Sequence, residues 1–431
     1  MKIGKEILLT FGARASVIGG TLIINFVLGR YFGGDVLGQY ISLYSLILLC
    51  SLLSRLGADT YLVKEVGAQE KINFDTQLKV ISFVAGSIVT VLVFSSIALW
   101  ISGRFFFEKN LLSYDFVLPF VFASLFMTIN YVFSAGLKGL RKSYLAPFFE
   151  SGACLLVVSF VAYAFYIKNI ALDVKVLIWI TVFAACLQSF LGSIFSRVFF
   201  SLTVLSSLSY QNVIINYKES LTFFPIALAG YLNQWGGVVV MAGFLAASDL
   251  GIWNAAQKTA YLIIFILMVF NSVLSPRYAR LSKDGELGRL ERFSKAMTAI
   301  MCVIAFPVFL IFLLFSKNIM FIYGEEFVVG AVALLIMSFA QAFNLSTGSV
   351  GILLNMSGQQ RLVSITTCVV AALNVGSLVL VGKLSPTINS VAVVAALTIV
   401  LQNLVFLILV KKTLGFWNIP ILKGWSLNEK S

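Results

Sequence analysis

The sequence predicts an all-α membrane protein, with twelve transmembrane helices in two parallel six-helix repeats around a central cavity. Composition, the spacing of apolar runs and the placement of basic residues predict it together. The 431-residue chain is 60% hydrophobic and 11% charged, where soluble domains run at roughly 45 to 50% and 25%. A helix takes about 20 apolar residues to cross the hydrocarbon layer. Twelve such runs occur, at 7–29, 37–55, 80–102, 115–137, 143–167, 175–196, 220–243, 251–275, 294–316, 328–353, 362–382 and 389–410.

Each run has a chemical reason to stop. The first starts behind Lys5 and Glu6 and ends at Arg30; Gly33, Gly34 and Asp35 separate it from the second, which ends at Arg55. The third lies between Lys79 and Arg104, the fourth opens at Asp115 and ends before Lys138, and the fifth lies between Lys142 and Lys168. The sixth runs from Lys175 to the residue before Arg197, and a Phe-rich stretch then leads into the second half. There the seventh run opens behind Lys218 and Glu219, and the eighth behind Asp249. Arg292 and Lys317 bracket the ninth, Glu326 and Asn355 the tenth, Arg361 and Lys383 the eleventh, Asn389 and Lys411 the twelfth. Pro147, Pro225 and Pro307, in or near the fifth, seventh and ninth runs, are candidates for kinks.

Short cytoplasmic loops hold the excess of Lys and Arg. With the N-terminus inside, 22 of the 31 basic residues fall on the cytoplasmic side and 7 opposite, while Arg14 and Lys258 lie within runs. Both termini are therefore expected in the cytoplasm. The net charge of +13 reads as this topology signal, and no nucleic-acid partner is called for. The first run is too long for a cleaved signal peptide, and no small-residue cleavage site follows it.

The halves repeat. "LGQY" (Leu37 to Tyr40) opens the second run and "LGIW" (Leu250 to Trp253) the eighth, while "KGLRK" after the fourth has its counterpart in "SGQQR" after the tenth. Six spans per half place the copies in the same orientation, as in transporters built from parallel repeats. The expected lobes are 1–205 and 206–431.

Several function classes lose their ground. The chain has no histidine, the commonest general base and zinc ligand. Its five cysteines (50, 154, 186, 302 and 368) lie far apart without a pairing rhythm. Neither a phosphate-cradling loop ending in Gly-Lys-Ser/Thr nor a Gly-x-Ser-x-Gly elbow is present. A membrane glycosyltransferase or polymerase needs catalytic carboxylates or a large outer loop, and the longest here, 103–114, is short. A transporter without cofactor, metal or catalytic residues is expected.

Polar residues inside the runs mark its candidate site. A charge near the bilayer centre costs roughly 2.5 to 3.5 kcal/mol on insertion scales, so it usually faces water or a partner. Arg14 and Lys258 sit about two turns deep and read as cavity-facing. Arg30 and Arg55 sit at span ends, where snorkelling to the interface competes with that role. Glu150, about two turns into the fifth run, has two readings: a proton or sodium coupling site, or a structural ion pair. Asp59 and Glu65 read as solvated loop residues, and Glu219 as favouring the start of the seventh span. "YLNQW" (Tyr231 to Trp235) and "WNAAQK" (Trp253 to Lys258) set Asn233, Gln234, Trp235, Asn254 and Gln257 at membrane depth. Amides beside aromatic rings suit a sugar, and they also serve as helix-to-helix hydrogen bonds.

Two stretches carry a resemblance. "TFGARASVIGGTLIINFVLGRYFGGDVLGQY", followed by "LLSRLGADTYLVKEVG", resembles the bacterial flippases for lipid-linked oligosaccharides, the O-antigen and polysaccharide-unit transporters of the multidrug/oligosaccharidyl-lipid/polysaccharide superfamily. "LGIWNAAQKTAYL" in the second half fits the same group. The resemblance implies a MATE-like pair of six-helix bundles in the bacterial cytoplasmic membrane. It also implies alternating access that moves an undecaprenyl-pyrophosphate-linked oligosaccharide between leaflets, in contact with membrane lipids. By that likeness Arg14, Arg55 and Lys258, and less directly Arg30, correspond to cationic positions lining the cavity. Direction would come from a proton or sodium gradient or from product removal by the polysaccharide polymerase machinery. An ion-coupled drug or metabolite antiporter of similar fold would instead need acidic residues at the centre. A major-facilitator carrier would carry Gly-x-x-x-Asp-Arg-x-Gly-Arg where this chain has "SRLGADTYLVKEVG".

Overall fold

The computed structural model describes residues 2–69, 73–105, 114–140, 142, 144–196 and 206–420. Helix covers most of each apolar run, but the fifth is α-helical only from Ser151 and the tenth breaks at 347–349; no strand occurs among the described residues. Nine helical stretches among them are long and apolar enough to cross a membrane, so the chain is a multi-pass membrane protein. The Phe-rich stretch 197–205 and most of the loop 103–114 lie outside the described residues.

By packing, the chain divides into Met1–Gly251 and Ile252–Ser431. The repeat boundary expected at 205/206 therefore differs from the packing boundary. The helices after residue 205 settle against the first unit before the chain leaves it.

In the first unit the helices are α1 (Lys2–Arg55), α2 (Ala58–Gly67), α3 (Phe74–Phe105), α4 (Tyr114–Gly139), α5 (Ser151–Ile167), α6 (Val174–Phe195), α7 (Tyr210–Ser220) and α8 (Phe224–Met241). The expected first and second spans are halves of α1, broken at Gly33 with φ 90°. Glycine enters that region at no steric cost, so a glycine break replaces the expected loop. The first half of α1 lies against α5, where a Cβ on Gly152 would meet Val17. Asp59 and Glu65, expected in a loop, lie on α2 instead.

α2 buries Tyr61, Leu62 and Val66 against Phe83 of α3, Val132 of α4 and Tyr217 of α7. The Tyr61 hydroxyl donates to Glu219, which closes α7 rather than opening the next span. Burial first, and this hydrogen bond second, push the Tyr61 hydroxyl above its ordinary pKa. Pro225 sits in the first turn of α8, where its missing N–H costs nothing, so it starts a helix instead of kinking one.

The start of the next helix, α9 (Ala247–Lys283), also belongs to this unit. A Cβ on Gly38 would strike the carbonyl oxygen of Ala247, and one on Gly251 would strike that of Gly34. Gly38 and Gly251 are the matching glycines of "LGQY" and "LGIW". Each copy's glycine meets the small residue four positions before the other's, a reciprocal small-xxx-small crossing that brings two backbones into contact.

In the second unit α10 (Leu287–Phe321) packs on α11 (Ala331–Ser346), and α11 on α14 (Ile388–Leu414). α12 (Val350–Met356) and α13 (Gln360–Leu384) also lie on α14. After α14 the chain turns at Gly415, φ 88°, and buries Asn418 completely. Asn418 accepts from Ser294 at 2.8 Å and donates to Thr298 at 3.2 Å and to the Thr347 carbonyl at 2.9 Å. Its replacement by Ala removes three buried hydrogen bonds, although Ser294 keeps its bond with Tyr278 and Thr298 its bond to the Ser294 carbonyl. Each lost partner costs about 1 to 3 kcal/mol, so Asn418→Ala should lower the thermal midpoint of the detergent-solubilised protein by several degrees.

Candidate functional site

The cationic candidates separate by environment. Arg14 lies on α1 with its side chain outside what the structure describes, and Arg30 is exposed. Arg55 and Lys258 are 5% and 4% exposed. Neither of these two is a snorkelling side chain, because a head that reached the interface would be open.

Lys258 lies in the first third of α9, where every residue from Gly251 to Ala260 is buried. The helical period sets Asn254, Gln257, Lys258 and Tyr261 on one face, and the Lys258 Nζ lies 5.3 Å from the centroid of the Tyr261 ring. Trp253 and Gln257, one turn apart, are buried, and the indole Nε1 and the amide Oε1 make no hydrogen bond among the described residues. Buried polar atoms are nearly always bonded. A donor and an acceptor left so, beside a buried lysine, make the start of α9 a candidate site. Trp253 was readable from sequence only as an aromatic neighbour; its i, i+4 relation to Gln257 was the signal.

Arg55 ends α1. Its guanidinium lies 3.9 Å over the ring of Tyr131 on α4 and 3.8 Å from Asp59. The ring face attracts the cation, but Nε and Nη1 are buried without a hydrogen bond. Nearby, Tyr44 stacks on Tyr40 and meets Trp235 of α8 edge-on with centroids 6.0 Å apart. Tyr231 donates to the Ser45 carbonyl at 2.6 Å. Trp235 is thus packed in an aromatic spine, while Asn233 is half-buried and Gln234 exposed.

Glu150 does not lie two turns inside a helix. Ala146–Phe149 form a short 3-10 turn with Pro147 in its first turn, and Glu150 itself is extended, with φ −99° and ψ 178°. That resets the chain, so Glu150 becomes the residue before α5. Its carboxylate pairs with Lys138 at 2.6 Å and accepts from Ser134 at 3.1 Å, the ion-pair reading of the two. Other amides also serve packing: Asn130 donates to the Ala185 carbonyl at 3.0 Å, Gln188 to that of Phe148 at 2.8 Å.

The chain matches the family described as polysaccharide biosynthesis protein over residues 3–282. No curated protein matches it in sequence. Among solved structures it is similar to the lipid II flippase MurJ in an inward closed conformation, at 12% identity and TM-score 0.72, covering 94% of this chain and 87% of that one. It is similar also to an inward-facing MATE family multidrug resistance transporter of the MOP superfamily, at 12% identity and TM-score 0.65, covering 93% and 94%. A variant of the Vibrio cholerae MATE transporter VcmN gives 12% identity and TM-score 0.59, covering 96% and 97%. At such identities the likeness is one of fold. The match over residues 3–282 thus places this chain in the polysaccharide biosynthesis protein family, and the helical architecture gives it the fold of MATE transporters and MurJ.

Proposed function

We propose that this protein is a flippase that carries undecaprenyl-pyrophosphate-linked oligosaccharide units across the cytoplasmic membrane by alternating access, for O-antigen or related surface polysaccharide. The observation that carries the reading is Lys258, a lysine buried in an apolar helix in a member of this family. A pyrophosphate cannot cross hydrocarbon uncovered, and fixed cations offset its lost hydration through charge-assisted hydrogen bonds. Lys258 and Arg55 supply such cations, with Arg14 and Arg30 as further candidates. A sugar hydroxyl both accepts and donates, so it can take the proton of Trp253 Nε1 and give one to Gln257 Oε1. Asn254, Asn233, Gln234 and Trp235 extend that polar surface. The prenyl tail stays in lipid.

Equal affinity in both states gives no net direction, so proton or sodium coupling, or consumption of the product by the polymerase, sets the direction. With Glu150 held by Lys138, product consumption is the simpler source. Both termini are placed in the cytoplasm by the bias of basic residues. Deleting the gene in its host should make lipid-linked repeat units accumulate in the inner leaflet. Normal surface polysaccharide in the deletion strain would reject the proposal.

A further inference from the structure

Arg55 is built to be set, and two residues set it. Its Nε and Nη1 are buried and make no hydrogen bond among the described residues, although the guanidinium has two neighbours. A C-terminal arginine also complements the helix dipole, but that role needs no aromatic platform and leaves no buried donors unsatisfied. The central carbon of the guanidinium lies over the Tyr131 ring, 3.9 Å from its centroid. A ring that close restrains the guanidinium, while its unbonded N–H groups stay open to an acceptor such as the paired oxygens of a phosphoryl group.

Asp59 stands at 3.8 Å, within ion-pair reach but outside hydrogen-bond range. Its other oxygen accepts the Thr60 N–H at 3.1 Å, and it lies in the first turn of α2, where the helix N-terminus also holds negative charge. Asp59 therefore screens Arg55 without occupying its donors.

We propose that Tyr131 and Asp59 tune Arg55 in opposite directions for a diphosphate group: the Tyr131 ring holds the guanidinium edge ready for phosphoryl oxygens, and Asp59 is the resident counter-charge with which the incoming anion competes. This rests on the flippase reading above and adds two positioning residues to it. Opposite signs follow. Removing the ring loosens the arginine and weakens anion binding; removing the Asp59 charge strengthens it.

The test is calorimetric titration of the full-length, detergent-purified protein with farnesyl pyrophosphate, with farnesol as the probe lacking phosphates. Tyr131→Leu should weaken the pyrophosphate affinity by about tenfold. Tyr131→Phe, which keeps the ring, should rescue it, and Asp59→Asn should tighten it several-fold. Farnesol binding should be the same in all variants. In an Arg55→Leu background neither substitution should matter. Wild-type affinity in Tyr131→Leu alongside a loss in Arg55→Leu would overturn the positioning role while leaving the flippase reading intact. Unchanged binding in Arg55→Leu itself would remove Arg55 from the anion site and this proposal with it. Should Tyr131→Leu fail to fold, the sign of Asp59→Asn decides: weaker or unchanged binding overturns the proposal.

Discussion

Lys258→Met is expected to cut transport by about 100-fold or more, equivalent to about 2.7 kcal/mol, while the protein stays as abundant and at least as heat-stable as the parent. Methionine keeps the length and bulk of the side chain and drops only the charge. In a helix buried from Gly251 to Ala260, that charge is a liability of roughly 2.5 to 3.5 kcal/mol on insertion scales. Against it stands the contact with the Tyr261 ring at 5.3 Å, worth about 0.5 to 2 kcal/mol. A residue kept at such a position for stability would give the opposite pattern, a fall in folded protein with transport per molecule unaltered. Lys258→Arg keeps the charge and adds donors, so it should retain transport. Accumulation of inner-leaflet repeat units, set beside immunoblot abundance and a melting curve, separates these outcomes. Unaltered transport in Lys258→Met assigns the lysine to packing.

Gly38→Val is expected to give the largest loss of folded protein of any single change considered. A Cβ on Gly38 runs into the Ala247 carbonyl oxygen, with the Gly251 nitrogen 3.0 Å away. Both obstacles are backbone, held by helices, and cannot rotate aside as a side chain would. Overpacking costs typically 1 to 3 kcal/mol and more where nothing yields, so about 3 kcal/mol is a lower expectation. Gly251→Val should behave alike, because Gly34 meets it from the other copy of the repeat. Gly376→Ala in α13, where nothing lies within 4 Å, is the control: it should leave the yield unchanged or raise stability by up to about 1 kcal/mol. Purified yield and thermal midpoint in one detergent measure all three. Normal yield of Gly38→Val would show that the two helices do not cross as closely as described.

The helices were legible in the sequence because a membrane imposes one local rule, about 20 apolar residues per crossing, which needs no partner to be read. The buried Lys258 was legible for the same reason: a charge inside such a run is visible without a fold. Where neighbours or a special backbone angle decide, the reading went astray. Asp59 and Glu65 looked like loop because α2 is short and amphipathic, stable only when Tyr61 and Leu62 have Phe83 and Tyr217 to pack on. Glu219 looked like the start of a span until Tyr61 donated to it. Glu150 looked like a membrane carboxylate because its partner Lys138 comes from another helix and Pro147 resets the chain just before it.

By itself the sequence determined the solvent: an all-helical, multi-pass membrane chain with a repeated half and a few cations out of place in lipid. It did so because hydration cost acts residue by residue. Only the tertiary structure decided what Arg55 and Lys258 meet. It set Arg55 over the Tyr131 ring, held Glu150 with Lys138, and brought the two repeat glycines against each other. Those contacts join residues from 12 to 213 positions apart, and their energies depend on ångström distances that no local pattern encodes.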